Sequence, residues 1–371
     1  MYGLCCEIVR ISLKNRFLST GKFQIILYLK MQESSKNKRK VVTFGEVLMR
    51  LSPSDNRKLL QAQQLDFFFG GTEMNVAASL SYMGLEVLHI TNVSNDIVGE
   101  AALASLRKFG IDVSEIHKVD QPLGLYFMEI GSAMRSSKIV YNRLHSSFAH
   151  IDPDGVDWER ILSCCDCLHW TGISPAISER AYQTLKKGLE VAQKKGITIT
   201  ADPAYRSNLW QYGRKGKEVL AELVDFSTIF IGGVNEINEI LNSDFGSDKR
   251  GFISASRALR NSHPSIEKVF DKVRTGISAS WQKVYGRAWT GGKFIRTVEF
   301  EITSVVDRIG SGDAYAAGLI YGLQNFDDQQ ALNFATAACA LKHTHIGDAN
   351  LVSAEEVLDV AKGNISGRIK R

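Results

Sequence analysis

Asp307-Arg308-Ile309-Gly310-Ser311-Gly312-Asp313 decides how this chain is read. A strand-like run at 299–306 precedes it, and an apolar run of small residues at 314–323 follows. The order is therefore strand, glycine turn, helix. Glycines let a backbone turn sharply and approach a ligand closely. The free N–H groups and positive dipole end of the following helix favour an anion. Asp313 falls at the mouth of that anion site, where a carboxylate opposes phosphate by charge alone. It makes chemical sense as the acceptor of a proton from a hydroxyl attacking a phosphoryl group held by the glycines. A helix cap accounts for the same letters, since Asp and Gly are common at helix starts; the stretch alone leaves both open. The spacing is neither that of the Walker phosphate loop nor that of the dinucleotide fingerprint Gly-x-Gly-x-x-Gly.

Towards the N-terminus, strand and helix alternate. Residues 41–51 read as a buried strand running on into an alternating one. After Gly70-Gly71-Thr72-Glu73-Met74-Asn75 comes a helix with Val76, Ala77, Leu80 and Met83 at helical spacing, stopped by Gly84. A strand at 86–91 and a helix at 97–109 follow. This predicts an α/β fold with a mostly parallel sheet and helices on both faces. Strands at 123–130 and 138–142, joined by a polar turn with no helix, then predict an antiparallel hairpin. With 48–52 and 65–70 it suggests a small β lid; an edge hairpin of the main sheet is the alternative. Beyond residue 160 strands are expected at 167–170, 197–201, 228–231 and 269–273, and a hairpin at 281–289 and 293–298. Helices are expected at 178–195, 216–224, 254–260, 329–343 and 354–361, with another starting at Asn235.

The formal charge of +5 is uneven. Residues 1–40 hold nine Lys/Arg and two Asp/Glu, a net of +7, so 41–371 carries −2. The basic excess belongs to the N-terminal stretch and does not argue for nucleic-acid binding by the body. The apolar run at 23–29 is too short to span a membrane and lacks a signal-peptidase pattern. Met31, followed by a polar stretch and then a strand, reads as a translation start, with residues 1–30 a gene-model extension; a targeting peptide is the alternative. Residues 1–40 are expected to be an extension, disordered or artefactual, and 41–371 one domain. Cys164, Cys165 and Cys167 have no partner pair at zinc-finger spacing. They read as reduced, buried cysteines flanking a core strand, which places the chain in the cytoplasm, with no protein-held metal.

Gly70-Gly71-Thr72-Glu73-Met74-Asn75-Val76-Ala77 resembles the Gly-Gly-x-x-x-Asn-x-Ala motif of the ribokinase-like (PfkB) sugar kinases, and residues 307–313 resemble their Asp-x-x-Gly-x-Gly-Asp motif. The resemblance covers nearly all of 41–371. It implies a ribokinase-like three-layer α/β/α fold with a β lid. Gly45-Glu46-Val47-Leu48-Met49-Arg50-Leu51-Ser52-Pro53, Gly124-Leu125-Tyr126-Phe127, Tyr141-Asn142-Arg143 and Tyr205-Arg206-Ser207-Asn208-Leu209-Trp210 are similar to the 2-keto-3-deoxygluconate kinase branch.

That resemblance implies ATP-dependent phosphorylation of a sugar acid, with Mg2+ carried mainly on the phosphates. Asp313 would be the base, and Gly310, Ser311 and Gly312 the anion hole. Gly70, Gly71, Asn75, Tyr126, Tyr141, Arg143, Arg206 and Asp348 would meet the sugar acid, the arginines and tyrosines holding its carboxylate. Each tyrosine alone could equally pack in a core or lid, and Arg206 could be solvated. Asn235 would order magnesium and phosphate through water, and Arg274, Thr275, Gly276 and Ser278 would lie along ATP. The implied partners are a sugar acid and ATP, with no nucleic acid and no membrane; a homo-oligomer through the lid is left open. Ala204, Asn238 and Ser311 depart from the usual Asn, Glu and Ala or Gly. Other kinases of the same fold, for fructose, ribose or a nucleoside, and a weakly active sugar-acid-binding protein remain as alternatives.

Overall fold

The computed structural model describes residues 40–367, so the expectations for residues 1–39 of the N-terminal extension lie outside the described residues. In chain order the strands are β1 Lys40–Phe44, β2 Leu48–Ser52, β3 Asp66–Gly70, β4 Glu86–Ser94, β5 Ile116–Val119, β6 Gly124–Glu129, β7 Lys138–Asn142, β8 Cys167–Thr171, β9 Thr198–Asp202, β10 Ile229–Ile231, β11 Lys268–Gly276, β12 Gln282–Thr290, β13 Lys293–Arg296 and β14 Phe300–Ile302. The helices are α1 Thr72–Tyr82, α2 Ile97–Lys108, α3 Trp158–Ile161, α4 Glu179–Lys194, α5 Gly216–Val224, α6 Val234–Leu241, α7 Lys249–Ser262, α8 Ser311–Asn325, α9 Asp328–Lys342 and α10 Ala354–Ala361.

The main sheet runs β13-β12-β11-β10-β9-β8-β1-β4-β5, with β14 also paired to β12. It is parallel from β5 to β11 and antiparallel beyond. Alternation along the strands sends side chains to opposite faces. On β1, Val41 joins a core under α1, α2, α8 and α9, whereas Val42 and Phe44 join a second core under α4–α7. Two cores flanking one sheet make three layers, as the alternation predicted. The chain builds β4 and β5 on one side of β1 and β8 to β11 on the other. Ligands of such sheets bind outside the strand C-termini at this reversal.

A separate sheet, β3-β2-β6-β7, forms at the positions expected for the small sheet. The run 41–51, expected as a buried strand running on into an alternating one, is two strands in two sheets: the chain leaves the main sheet at Gly45 and enters the small one at Leu48, within the 48–52 segment expected there. Helix α7 starts five residues before the expected Ser254, because Asp248 accepts a hydrogen bond from the Gly251 N–H at 2.8 Å and caps an earlier turn. Cys164 is exposed rather than buried; Cys165 is half-buried, and Cys167 and Cys339 are buried free thiols. Among the described residues no helix is long and apolar enough to cross a membrane.

Candidate active site

The turn before α8 is shaped by two glycine positions. Gly310 has φ +77°, and a Cβ there would lie 1.8 Å from the Asp348 carbonyl oxygen. Gly71, at the start of α1, has φ +146°, and its Cβ would meet the Glu46 carbonyl at 2.0 Å. Both positions therefore require glycine for conformation and for space. The Ser311 N–H turns back to the Arg308 carbonyl (3.2 Å), while those of Gly312 and Asp313 make no such bond. These are the donors a helix start offers an anion.

Two cavities open beside this turn and share Thr72, Tyr141, Ile173, Arg206, Ile309 and Asp313 in their walls. The smaller, of 270 Å³, lies under the small sheet and adds Gly71, Asn75, Tyr126, Arg143, Asn208 and Asp348. The larger, of 840 Å³, runs past the ends of β9 and β10 and along β11, and adds Asp202, Asn235, Glu236, Asp271, Lys272 and Arg274, with Gly310, Ser311 and Gly312.

Asp313 stands where the cavities join. Its carboxylate makes no cap bond; Asn75 Nδ2 donates to its Oδ2 at 2.7 Å. Burial pushes its pKa up to about 7, the Asn75 bond opposes that rise, and the neighbouring Asp202 adds to it. Asp202 itself is raised to about 6 by burial and by Glu236. Such poise suits a group that takes a proton near neutral pH.

Behind the turn lies a buried charge cluster. Arg50 on β2 donates from Nη1 to Asp307 Oδ2 (2.7 Å) and to Asp348 Oδ1 (2.8 Å). The Tyr126 hydroxyl donates to Asp348 Oδ2. Lys342, at the end of α9, donates to the His345 carbonyl (3.2 Å), and burial lowers its pKa. Both Asp348 oxygens thus have protein donors, so its carboxylate anchors Arg50 and Tyr126 as well as lining the cavity.

The sequence expectations are met unevenly by this geometry. Gly71, Asn75, Tyr126, Tyr141, Arg143, Arg206, Asp348 and Asp313 share the smaller cavity. Gly70 lines neither cavity and instead packs on Asp348. Arg143 pairs with the buried Glu46, so it does not offer the free guanidinium expected of it. Arg206 is exposed and spends one N–H on the Tyr205 carbonyl (2.9 Å). Of the ATP set, Asn235 and Arg274 line the larger cavity, while Thr275, Gly276 and Ser278 lie beyond its walls. Asn238 holds the following loop through Ser243 and Phe245, which explains why it is not a carboxylate here. Ala204 adopts φ +36°, a strained value for a residue with a Cβ.

Several polar groups of the site were missed. Arg50 had a signal: it occupies an inward position of an alternating strand, where a charge demands partners. Glu73 is buried and raised to about 7 by that burial; it accepts bonds from Thr171 and Ser174 and locks α1 to the end of β8. Its place inside the Gly-Gly-x-x-x-Asn segment was the signal. Asp202 ends β9, Lys272 lies within β11 and Glu236 in the first turn of α6, and only the assembled sheet brings them together.

The sequence profile of the pfkB family carbohydrate kinases matches residues 38–355. The chain is 28% identical to the 2-dehydro-3-deoxygalactonokinase of Haloferax volcanii, over 88% of this chain and 98% of that one. It is 30% identical to a 5-dehydro-2-deoxygluconokinase of Clostridium perfringens, over 85% and 89%. The crystal structure of the 2-dehydro-3-deoxygluconokinase of Thermotoga maritima superposes with a TM-score of 0.83 at 35% identity, covering 88% of this chain and all of that one. With both halves of the glycine machinery assembled around one carboxylate and relatives matched end to end, this chain belongs to the pfkB family of carbohydrate kinases.

Proposed function

We propose that the protein transfers the terminal phosphoryl group of ATP to 2-dehydro-3-deoxygluconate, giving its 6-phosphate, in the cytoplasm. The observation that carries the sugar-acid assignment is the pair of arginines in the smaller cavity. Arg143 is neutralised by Glu46, whereas Arg206 keeps most of its guanidinium free beside the same wall as Asp313. A free guanidinium suits a carboxylate better than a neutral sugar. The acids named by the relatives support it.

In this reading Asp313 takes the proton of the acceptor hydroxyl, with Asn75 fixing one carboxylate oxygen and leaving the other for the substrate. The N–H groups of Gly312 and Asp313 face the transferred phosphoryl group. Tyr126, held by Asp348, and Tyr141 of the small sheet close over the sugar and exclude water. Among the described residues no cluster could hold a metal by itself. Asp202, Glu236 and Asn235 nonetheless line the larger cavity, a donor set that fits a cation carried in on phosphates and reached through water. That Mg2+ would offset phosphate charge.

A coupled assay for ADP formation tests the assignment with 2-dehydro-3-deoxygluconate, 5-dehydro-2-deoxygluconate, fructose and ribose. Turnover is expected on the acids, 2-dehydro-3-deoxygluconate foremost. Arg206→Ala should weaken the acid by about 1.5–3 kcal/mol and leave ATP affinity unchanged. A preference for a neutral sugar, or equal weakening of acid and neutral substrates, overturns it. The second reading, 5-dehydro-2-deoxygluconate as main substrate, is favoured by the 30% identity to the clostridial enzyme and wins if that acid gives the higher kcat/KM.

A further inference from the structure

Lys272 has no place in the roles above, yet it sits against the glycine turn. It lines the larger cavity with Gly310, Ser311, Gly312 and Asp313. Its Nζ lies 3.4 Å from the point where a Cβ on Gly312 would be. Among the described residues its ammonium is in no direct hydrogen bond or ion pair, and the charges it acts on are the carboxylates of Asp313, Asp202 and Asp271. The neighbouring acid on the same strand, Asp271, is engaged by Arg287 Nε at 2.7 Å. Of the other cations of the site, Arg50 is committed to Asp307 and Asp348 and Arg143 to Glu46, whereas Arg206, Arg274 and Arg308 also line the larger cavity. A half-buried ammonium in no direct ion pair, beside free helix-start N–H groups, is placed to take an anion.

We infer that Lys272 is a catalytic residue, its ammonium contacting the transferring phosphoryl group at the glycine turn. The inference rests on the kinase reading. In the step, the bond between the terminal phosphorus and the bridging oxygen of ATP breaks, and its electron pair leaves on ADP. The bond from the sugar hydroxyl oxygen to phosphorus forms, and the hydroxyl proton passes to Asp313. While both bonds are partial the phosphoryl group is planar, with negative charge spread over its three oxygens and growing on the leaving bridging oxygen; a fixed ammonium placed for that geometry lowers the barrier more than it aids ATP binding.

The full-length protein and its Lys272→Met, Lys272→Gln and Lys272→Arg variants are compared for ADP formation with 2-dehydro-3-deoxygluconate, and for ATP binding by calorimetry. Expected is a loss in kcat of about 10²-fold or more for Lys272→Met and Lys272→Gln, with ATP dissociation constants changed less than about fivefold. Lys272→Arg should keep at least about a tenth of the wild-type rate, since the charge remains. A Lys272→Met or Lys272→Gln rate within about threefold of wild type overturns the inference, as does a loss confined to ATP affinity. The charged groups acting on Asp313 besides Lys272 are Asp202 and Glu73. If Lys272 only balanced them, both variants would regain the wild-type kcat on the alkaline plateau, and that recovery also overturns it. Should the wild-type protein phosphorylate none of the acids, the substrate assignment fails instead. Lys272 is then judged by slow ATP hydrolysis to water in the same variants: a matching loss supports the role, and equal rates overturn it.

Discussion

Asp313 could be weighed in the sequence only between a helix cap and a base. The structure gives it a partner in Asn75 and no cap bond, so the carboxylate is available for chemistry rather than for the helix. Asp313→Asn keeps shape and removes proton acceptance. Turnover should fall by about 10²–10⁴-fold, with melting temperature nearly unchanged. The pH dependence has a defined sign. Burial raises the carboxyl to about 7, so the base is protonated and inactive below that value and active above it. The acid limb of kcat/KM, which reports the free enzyme, should therefore lie near 7. Asn75→Ala removes a bond that favours the charged form, so the limb should move to higher pH. A limb near 4 in the wild-type protein, or a well-folded Asp313→Asn variant with normal turnover, sinks the assignment. Arg206 is a parallel case: its type and place after a strand were legible, but that it alone of the two cavity arginines is unpaired required Glu46 to be seen beside Arg143.

At the scale of elements, the strand–helix alternation and the hairpin break were legible because periodicity is local. What was not legible is contact across long separations. Strand β2 belongs to the small sheet, yet Arg50 reaches residues 257 and 298 positions away, Asp307 before the turn and Asp348 after α9. No periodicity encodes that pairing. It ties the small sheet to the catalytic turn through buried charge, and Asp307 also takes the Ile309 N–H at 3.0 Å. Removing one partner of such a cluster strands the others in a medium that solvates them poorly. Arg50→Ala should thus cost about 3–5 kcal/mol of stability. It should also raise the KM for the sugar acid, because Tyr126 and Asp348 line the smaller cavity and lose their anchor. Chemical denaturation measures the first effect and initial rates the second. A loss below about 1 kcal/mol would mean that solvent reaches the cluster and that the small sheet is held by other contacts.

At the scale of the molecule, both apolar cores begin at residues 41 and 42 and are closed by helices up to α9, with a third small cluster reaching α10. The family profile begins at residue 38, and relatives are matched over nearly their whole length by under nine-tenths of this chain. Everything proposed for catalysis, from Glu46 to Asp348, falls inside that span. The basic N-terminal stretch, by contrast, shows no core periodicity and carries the charge that makes the whole chain cationic. Deletion of residues 1–30 should therefore leave kcat and KM within about twofold and shift the melting temperature by less than about 2 °C, the effect of under 1 kcal/mol in a chain of this size. Thermal unfolding and ADP release on the shortened protein decide it. A large drop in either would mean that the first thirty residues complete the fold or the site, and that the domain begins before residue 40.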